Sequence, residues 1–107
     1  MYRLGTLSLN PESREIVADD GVVSVEPLVF DLILVLLRNR HRVVTKDELV
    51  DWLWDGRAIS DSAMTTCIKA ARRVLGDDGK RQAVIRTMHR RGFRFVAEVE
   101  DLLPAAA

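Results

Sequence analysis

Residues 43–76 read VVTKDELVDWLWDGRAISDSAMTTCIKAARRVLG, and the fold turns on how this stretch divides. Thr45-Lys46-Asp47-Glu48 has the form of a capping box: the Thr45 hydroxyl can accept from the Glu48 amide while the Glu48 carboxylate reaches back, and Val44 can staple to Leu49. A helix is predicted from Lys46 to about Trp54, sending Leu49, Leu53 and one or both of Trp52 and Trp54 toward a core, with Asp55-Gly56-Arg57 as its end. Ser60-Asp61 is a second N-cap signal, and it opens a helix over residues 61–75 that Gly76 stops. Met64, Ile68, Ala71 and Leu75 recur at helical spacing and define one buried stripe. The other face carries Ser62, Thr65, Thr66, Lys69, Arg72 and Arg73, with no carboxylate after Asp61 until the helix has ended. The stretch is thus two helices joined by a short turn, the second faced with hydroxyls and long bases.

Downstream, Ala83–Met88 and Phe93–Val99 read as strands joined by His89-Arg90-Arg91-Gly92, a hairpin with a basic tip whose glycine can take positive φ. Upstream, Pro27 suits a first helical turn, where its missing N–H is not needed, and a helix is predicted over Leu28–Asn39. Phe30, Ile33, Leu34 and Leu37 share one face of it, while Leu32, Val35 and Leu36 spread apolar surface around most of the circumference, so it must be nearly enclosed. Before it, the runs Tyr2–Leu4, Leu7–Leu9, Glu15–Val17 and Val22–Val25 alternate with Gly5, Asn10-Pro11 and Asp19-Asp20-Gly21, as in a small antiparallel sheet. The expected fold class is α+β: a winged helix-turn-helix with an N-terminal antiparallel four-stranded sheet, three helices and a C-terminal β-hairpin wing. Residues 1–100 are read as this domain and residues 101–107 as a linker or the start of a following region.

A chain of 107 residues, 48% hydrophobic and 30% charged, supports one modest core. Cys67 is the only cysteine and the histidines are two, so neither an intrachain disulfide nor a thiolate-histidine zinc site is available, and no cofactor is expected. No apolar run approaches the roughly 20 residues that span a bilayer, and the start Met-Tyr-Arg-Leu-Gly does not resemble a signal peptide, so a cytoplasmic location and no membrane contact are expected. Net charge is zero, yet it is unevenly spread: residues 62–95 hold nine Lys/Arg against Asp77 and Asp78 alone. That is a basic face on an otherwise acidic domain. Catalysis finds no support: Cys67 has no base near it in sequence, Asp19-Asp20 and Asp77-Asp78 sit in turns that favour aspartate, and neither a phosphate-binding glycine loop nor a zinc-protease pattern occurs.

A helix-turn-helix followed by a basic hairpin can place its last helix in the major groove, about 12 Å wide, where Lys or Arg reads guanine and hydroxyls read either base or hold phosphate. The candidate DNA-binding set is therefore Ser62, Thr65, Thr66, Lys69, Arg72 and Arg73 on the third helix, and Arg86, Thr87, His89, Arg90 and Arg91 on the hairpin. On an arbitrary helix such bases are solvent cover; their place in a helix-turn-helix makes them a reading face. Adjacent arginines at a turn repel each other, and an anionic partner relieves that cost. Arg94 has two readings, reaching DNA or capping the sheet, and Trp54 is read as core with one edge toward a phosphate.

The series Pro27-x-x-Phe30, Val43-Val44-Thr45-Lys46-x-Glu48-Leu49, Leu53-Trp54, Ile68-x-x-x-Arg72-Arg73-x-Leu75-Gly76-Asp77 and Ile85-Arg86-Thr87-x-x-x-x-Gly92-Phe93-Arg94-Phe95 resembles the C-terminal effector domain of OmpR/PhoB-type response regulators. The likeness covers nearly the whole chain and is most specific over Thr87–Phe95. It implies binding to double-stranded DNA, in direct repeats, by head-to-tail protomers. It also implies that the loop Asp55–Ile59 touches RNA polymerase or a neighbouring protomer, and that an arginine at the Arg72 position orients structure or contacts phosphate. Response regulators carry a receiver domain before this unit, whereas here it starts at Met1. That is similar to the branch in which the winged helix is N-terminal and a sensor, membrane segment, ATPase or repeat region follows, with Leu103–Ala107 as the start of a linker and regulation coming from beyond it. The alternatives are a winged helix recruited to bind protein, or the DNA tether of a larger sensor or ATPase.

Overall fold

Short strands with alternating side chains begin the chain because turn formers interrupt it every few residues. In the computed structural model, which describes residues 1–102, they are β1 (Tyr2–Leu4), β2 (Leu7–Asn10), β3 (Glu15–Ala18) and β4 (Gly21–Val23), followed by helix α1 (Pro27–Arg38). Next come β5 (Val44–Thr45), α2 (Lys46–Leu53), α3 (Asp61–Val74), β6 (Ile85–Met88), β7 (Gly92–Phe95) and β8 (Glu100–Asp101). The first four strands pair as successive antiparallel hairpins, with Leu9 opposite Tyr2 and Ile16 opposite Leu9 and Val23. Alternation sends Leu4, Leu9 and Ile16 into the core and leaves Arg3 and Val17 in solvent.

Two strands went unforeseen. β8 pairs with β1, Asp101 opposite Tyr2, so the N-terminal sheet has five strands in the order β4-β3-β2-β1-β8 rather than the expected four. The Leu102 amide also donates to the Met1 carbonyl at 2.8 Å, which places Asp101 in the sheet rather than in a linker. The rest of the expected linker, 103–107, lies outside the described residues. β5 joins the hairpin in a second sheet, β5-β7-β6, and the hairpin strands are shorter than Ala83–Met88 and Phe93–Val99.

α1 is the central helix. Val29, Phe30, Leu32, Ile33, Leu36 and Leu37 are buried, as its all-round apolar character required, and Pro27 sits in its first turn. Asp31 interrupts the apolar run yet stays at the surface, paired with Arg14 at 2.7 Å, and the same guanidinium lies 4.9 Å from the Phe30 ring centre. α2 begins with the full capping box: the Glu48 amide donates to Thr45 Oγ1 at 3.1 Å and the Thr45 amide to Glu48 Oε1 at 3.0 Å. Of the two tryptophans, Trp54 is half-buried against the core while Trp52 is 48% exposed beneath the Arg42 guanidinium. Met64, Ile68 and Ala71 of α3, with Leu75 at its C-cap, join the α1 side chains and Cys67, Ile85, Phe93 and Phe95 in one buried cluster. Among the described residues no helix is long and apolar enough to cross a membrane.

Candidate nucleic-acid interface

The outward face of α3 is a ridge. Ser62, Thr66, Lys69 and Arg73 are spaced to lie in one line opposite the buried stripe, and all four are exposed. Ser60 caps the helix by accepting from the Ala63 amide at 3.1 Å, which leaves Ser62 in its first turn. Hollows flank the ridge. On the wing side a crevice of about 280 Å³ is bounded by Lys46, Thr65, Thr87, His89 and Arg90. On the far side a groove of about 590 Å³ runs between Thr66, Arg73 and Trp54 on one wall and the Ser24–Glu26 segment on the other.

The wing reaches its place through backbone geometry that begins at the end of α3. Gly76, at φ +72°, closes a Schellman motif: its amide donates to Arg73 O at 3.2 Å and the Asp77 amide to Arg72 O at 2.7 Å. That turn aims Asp77 at the start of β6, where Oδ1 accepts from the Ala83 amide (2.8 Å) and Oδ2 from Val84 (2.9 Å) and Ile85 (3.1 Å). Asp77 is 8% exposed, and although burial pushes its pKa up, the backbone N–H donors outweigh it and hold the carboxyl below its ordinary value. At the other end of the hairpin, Gly92 (φ +156°) lets β7 lie against β5. A Cβ there would collide with the Val44 carbonyl oxygen and come within 2.8 Å of the Thr45 Cα. The wing is thereby fastened to the first residues of α2.

Arg72 departs from the reading face. It is 6% exposed, with Nε and Nη2 donating to Ile85 O at 3.1 and 3.0 Å and Nη2 to Thr87 Oγ1 at 2.8 Å. Its position three and four residues from Leu75 and Ile68 puts it at the margin of the buried stripe, and a carbonyl across the crevice draws the guanidinium inward. Of the two roles the resemblance allowed, orienting structure is the one this geometry carries; the expectation of Arg72 among the solvent-facing bases is corrected. Arg86 is also turned away from α3. It is exposed and stands directly opposite Arg94 on the outer side of the hairpin, while Ile85, Phe93 and Phe95 are buried on the inner side. Thr87 shares the inner side but is exposed at the crevice mouth.

The tip stays basic and open. His89, Arg90 and Arg91 are exposed, the Arg91 amide closes the turn on Met88 O at 2.9 Å, and Arg90 holds a left-handed φ of +62°. Beside it lies Lys46, which the sequence reading overlooked: it lines both the crevice and a second hollow with Arg90 and Arg91. A cation directly after an N-cap threonine was the available signal, since the first helix of a helix-turn-helix crosses the backbone.

Three further groups are accounted for locally. Arg42 clasps Glu48 with both terminal nitrogens, Nη1 donating to Oε1 at 2.9 Å and Nη2 to Oε2 at 2.8 Å; these bonds, with the Thr45 amide, lower the Glu48 carboxyl to about 2. Burial raises the Cys67 thiol to about 11, which leaves it a small core side chain with little thiolate at neutral pH. The loop Asp55–Ile59 is exposed over Asp55–Ala58, with Asp55 at φ +52°.

Comparison with known proteins matches residues 20–95 to the family described as transcriptional regulatory protein, C terminal. The transcriptional regulator HilA of Salmonella typhi is 31% identical over 84 residues, 78% of this chain but 15% of that protein, so the chain spans a small part of its relative's length. The solved DNA-binding domain of Escherichia coli CadC superposes with a TM-score of 0.76 at 24% identity, covering 92% of this chain and 94% of that one. The Klebsiella pneumoniae RstA DNA-binding domain, solved in complex with the RstA box, gives a TM-score of 0.76 at 21% identity, covering 88% of this chain and 94% of the other.

Proposed function

The chain belongs to the transcriptional regulatory protein C-terminal family of winged helix-turn-helix domains, and on that premise we propose that it binds double-stranded DNA sequence-specifically to regulate transcription. The observation that carries the reading is the α3 ridge with a hollow on each side. In the complex α3 lies in the major groove and the two phosphate backbones run along the hollows, with the wing tip on the neighbouring backbone or minor groove. Lys69 is the ridge's central long donor and reads guanine, while Thr66 and Thr65 offer methyl and hydroxyl groups to thymine or phosphate. Ser62 donates to a phosphate at the helix N-terminus. Arg73, His89, Arg90, Arg91 and Lys46 are phosphate contacts, which set register and affinity rather than sequence preference.

The same reading places the chain in the cytoplasm with the DNA, acting as a binding module rather than an enzyme. It includes protomers arranged head to tail on direct repeats, and the exposed Asp55–Ile59 loop as a contact for RNA polymerase or the next protomer.

Selection from random DNA followed by anisotropy titration tests it. With the four Lys/Arg side chains of that set (Lys46, Arg73, Arg90 and Arg91) on phosphates, the slope of log K against log salt is about −3.6. Arg91→Ala weakens every duplex and flattens that slope by about 0.9, whereas Lys69→Ala also relaxes preference at one base pair, by about 1–3 kcal/mol. A chain that selects no sequence and shows no salt-sensitive binding refutes the reading and leaves a protein-binding winged helix.

A further inference from the structure

Arg72 carries a full charge, is almost completely buried, and spends two of its three bonds on a single carbonyl, Ile85 O. Its remaining bond is to Thr87 Oγ1 at 2.8 Å, and among the described residues Arg72 is the only hydrogen-bond partner of that oxygen. A hydroxyl that has accepted from a guanidinium still has its own O–H to give. The Thr87 backbone N–H is held by Gln82 Oε1 at 2.9 Å, which ties down the strand at this residue, while the Arg72 bond alone sets the side to which the hydroxyl points. Thr87 itself is exposed at the mouth of a crevice whose polar neighbours are Lys46, Thr65, His89 and Arg90. None of these is a carboxylate. The free O–H therefore faces a cationic hollow open to solvent, where the acceptor that fits is an anionic oxygen.

We propose that Arg72 is a positioning residue that works through Thr87: its guanidinium, fixed on Ile85 O, holds and polarises the Thr87 hydroxyl as a donor to one DNA phosphate, so that a buried cation strengthens binding without touching DNA. The inference rests on the DNA-binding reading above. It also explains why an arginine, rather than an apolar residue, occupies the margin of the α3 stripe. The planar fork can serve Ile85 O and Thr87 Oγ1 at once, which a lysine ammonium at the end of a flexible stem does not do with the same fixed geometry. Helix and wing are thereby set at one separation, and the phosphate contact is built before DNA arrives.

The test is a double-mutant cycle read by anisotropy on the selected duplex and a random one, with thermal melting of each variant. Thr87→Val weakens both duplexes alike by about ten-fold, as expected for loss of one charge-assisted bond, while Thr87→Ser binds like the unaltered chain. Arg72→Met weakens binding at least as much, and in its background Thr87→Val costs less than about two-fold. Arg72→Lys, which keeps the charge but not the fork, falls between. Thr87→Val binding as tightly as the unaltered chain, or costing the same ten-fold with and without Arg72, overturns the proposal. Should Arg72→Met not fold, the Thr87→Val and Thr87→Ser pair with Arg72→Lys decides it: Arg72→Lys must reduce the cost of Thr87→Val, and an unchanged cost overturns it. No DNA binding by the unaltered chain sinks the broader reading and this one together; unaltered binding by Thr87→Val sinks this one alone.

Discussion

The two sheets of this domain are held by different means. In the N-terminal sheet, strands adjacent in sequence pair through tight turns, and alternating residues such as Leu4, Leu9 and Ile16 supply the buried face. In the wing sheet β5 is drawn to β7 from more than forty residues away in sequence, and buried polar groups do much of the fastening: Arg72 on Ile85, Asp77 on three amides, and a glycine that lets two backbones touch. The first sheet tolerates exchange of one apolar side chain for another of similar volume. The second depends on particular atoms, and these are the atoms that set the wing relative to the recognition helix.

The sharpest way to break this comparison is to put the same methyl group into each sheet. Gly92→Ala drives a Cβ into the Val44 carbonyl, and an unfolding cost of about 3 kcal/mol or more is expected, together with loss of DNA affinity. Gly5→Ala, in the β1–β2 turn at φ +53°, meets no atom within 4 Å and costs about 1 kcal/mol, the penalty of a left-handed residue alone. Equal melting temperatures for the two variants would show that the wing is not so constrained.

Acid provides the next largest separation. Asp77 and Glu48 both bind protons less readily folded than unfolded, so the unfolded chain takes up protons first as pH falls. Their stabilisation is fully present above about pH 5 and is lost as pH drops below the ordinary carboxylate range, for Glu48 toward about 2. Denaturant midpoints from pH 6 to pH 2 should fall over that window, and Glu48→Gln with Asp77→Asn should flatten the fall. An equally steep fall in the double variant would move the acid sensitivity to other carboxylates of the domain.

The smallest effect is the most diagnostic of function. Arg90 occupies a left-handed position that favours glycine, so Arg90→Gly should stabilise the fold by about 1 kcal/mol while weakening DNA binding. A variant that melts higher and binds less tightly marks a residue kept for its charge. A variant that melts lower would mean that the turn draws support from the arginine side chain.

Much of this arrangement was legible beforehand. Thr45, Glu48, Ser60 and Gly76 mark helix ends by local hydrogen bonding, which needs no distant partner, and all four act as read. Asn10, Gly21 and the alternation of Leu7 and Leu9 likewise encode hairpins between neighbours. The ridge on α3 followed from spacing alone. Arg72 was misplaced because a residue at the edge of a helical stripe can turn to either side, and helical period does not say which. Asp77 was read as a turn aspartate; its acceptors are used by amides six to eight residues on, a distance set by the path of the loop. Lys46 enters the candidate site only because β7 brings Arg90 and Arg91 beside α2.

The sequence by itself determined the helices with their caps, the hairpins of the N-terminal sheet, the basic tip and the identity of the buried stripe, since each arises from residues within a few positions of one another. Tertiary structure alone decided the fifth strand, the pairing of β5 with β7, the inward turn of Arg72 and the choice of which cations remain free. Those outcomes depend on where distant backbone carbonyls and amides come to rest, and a buried charge goes where such partners satisfy it.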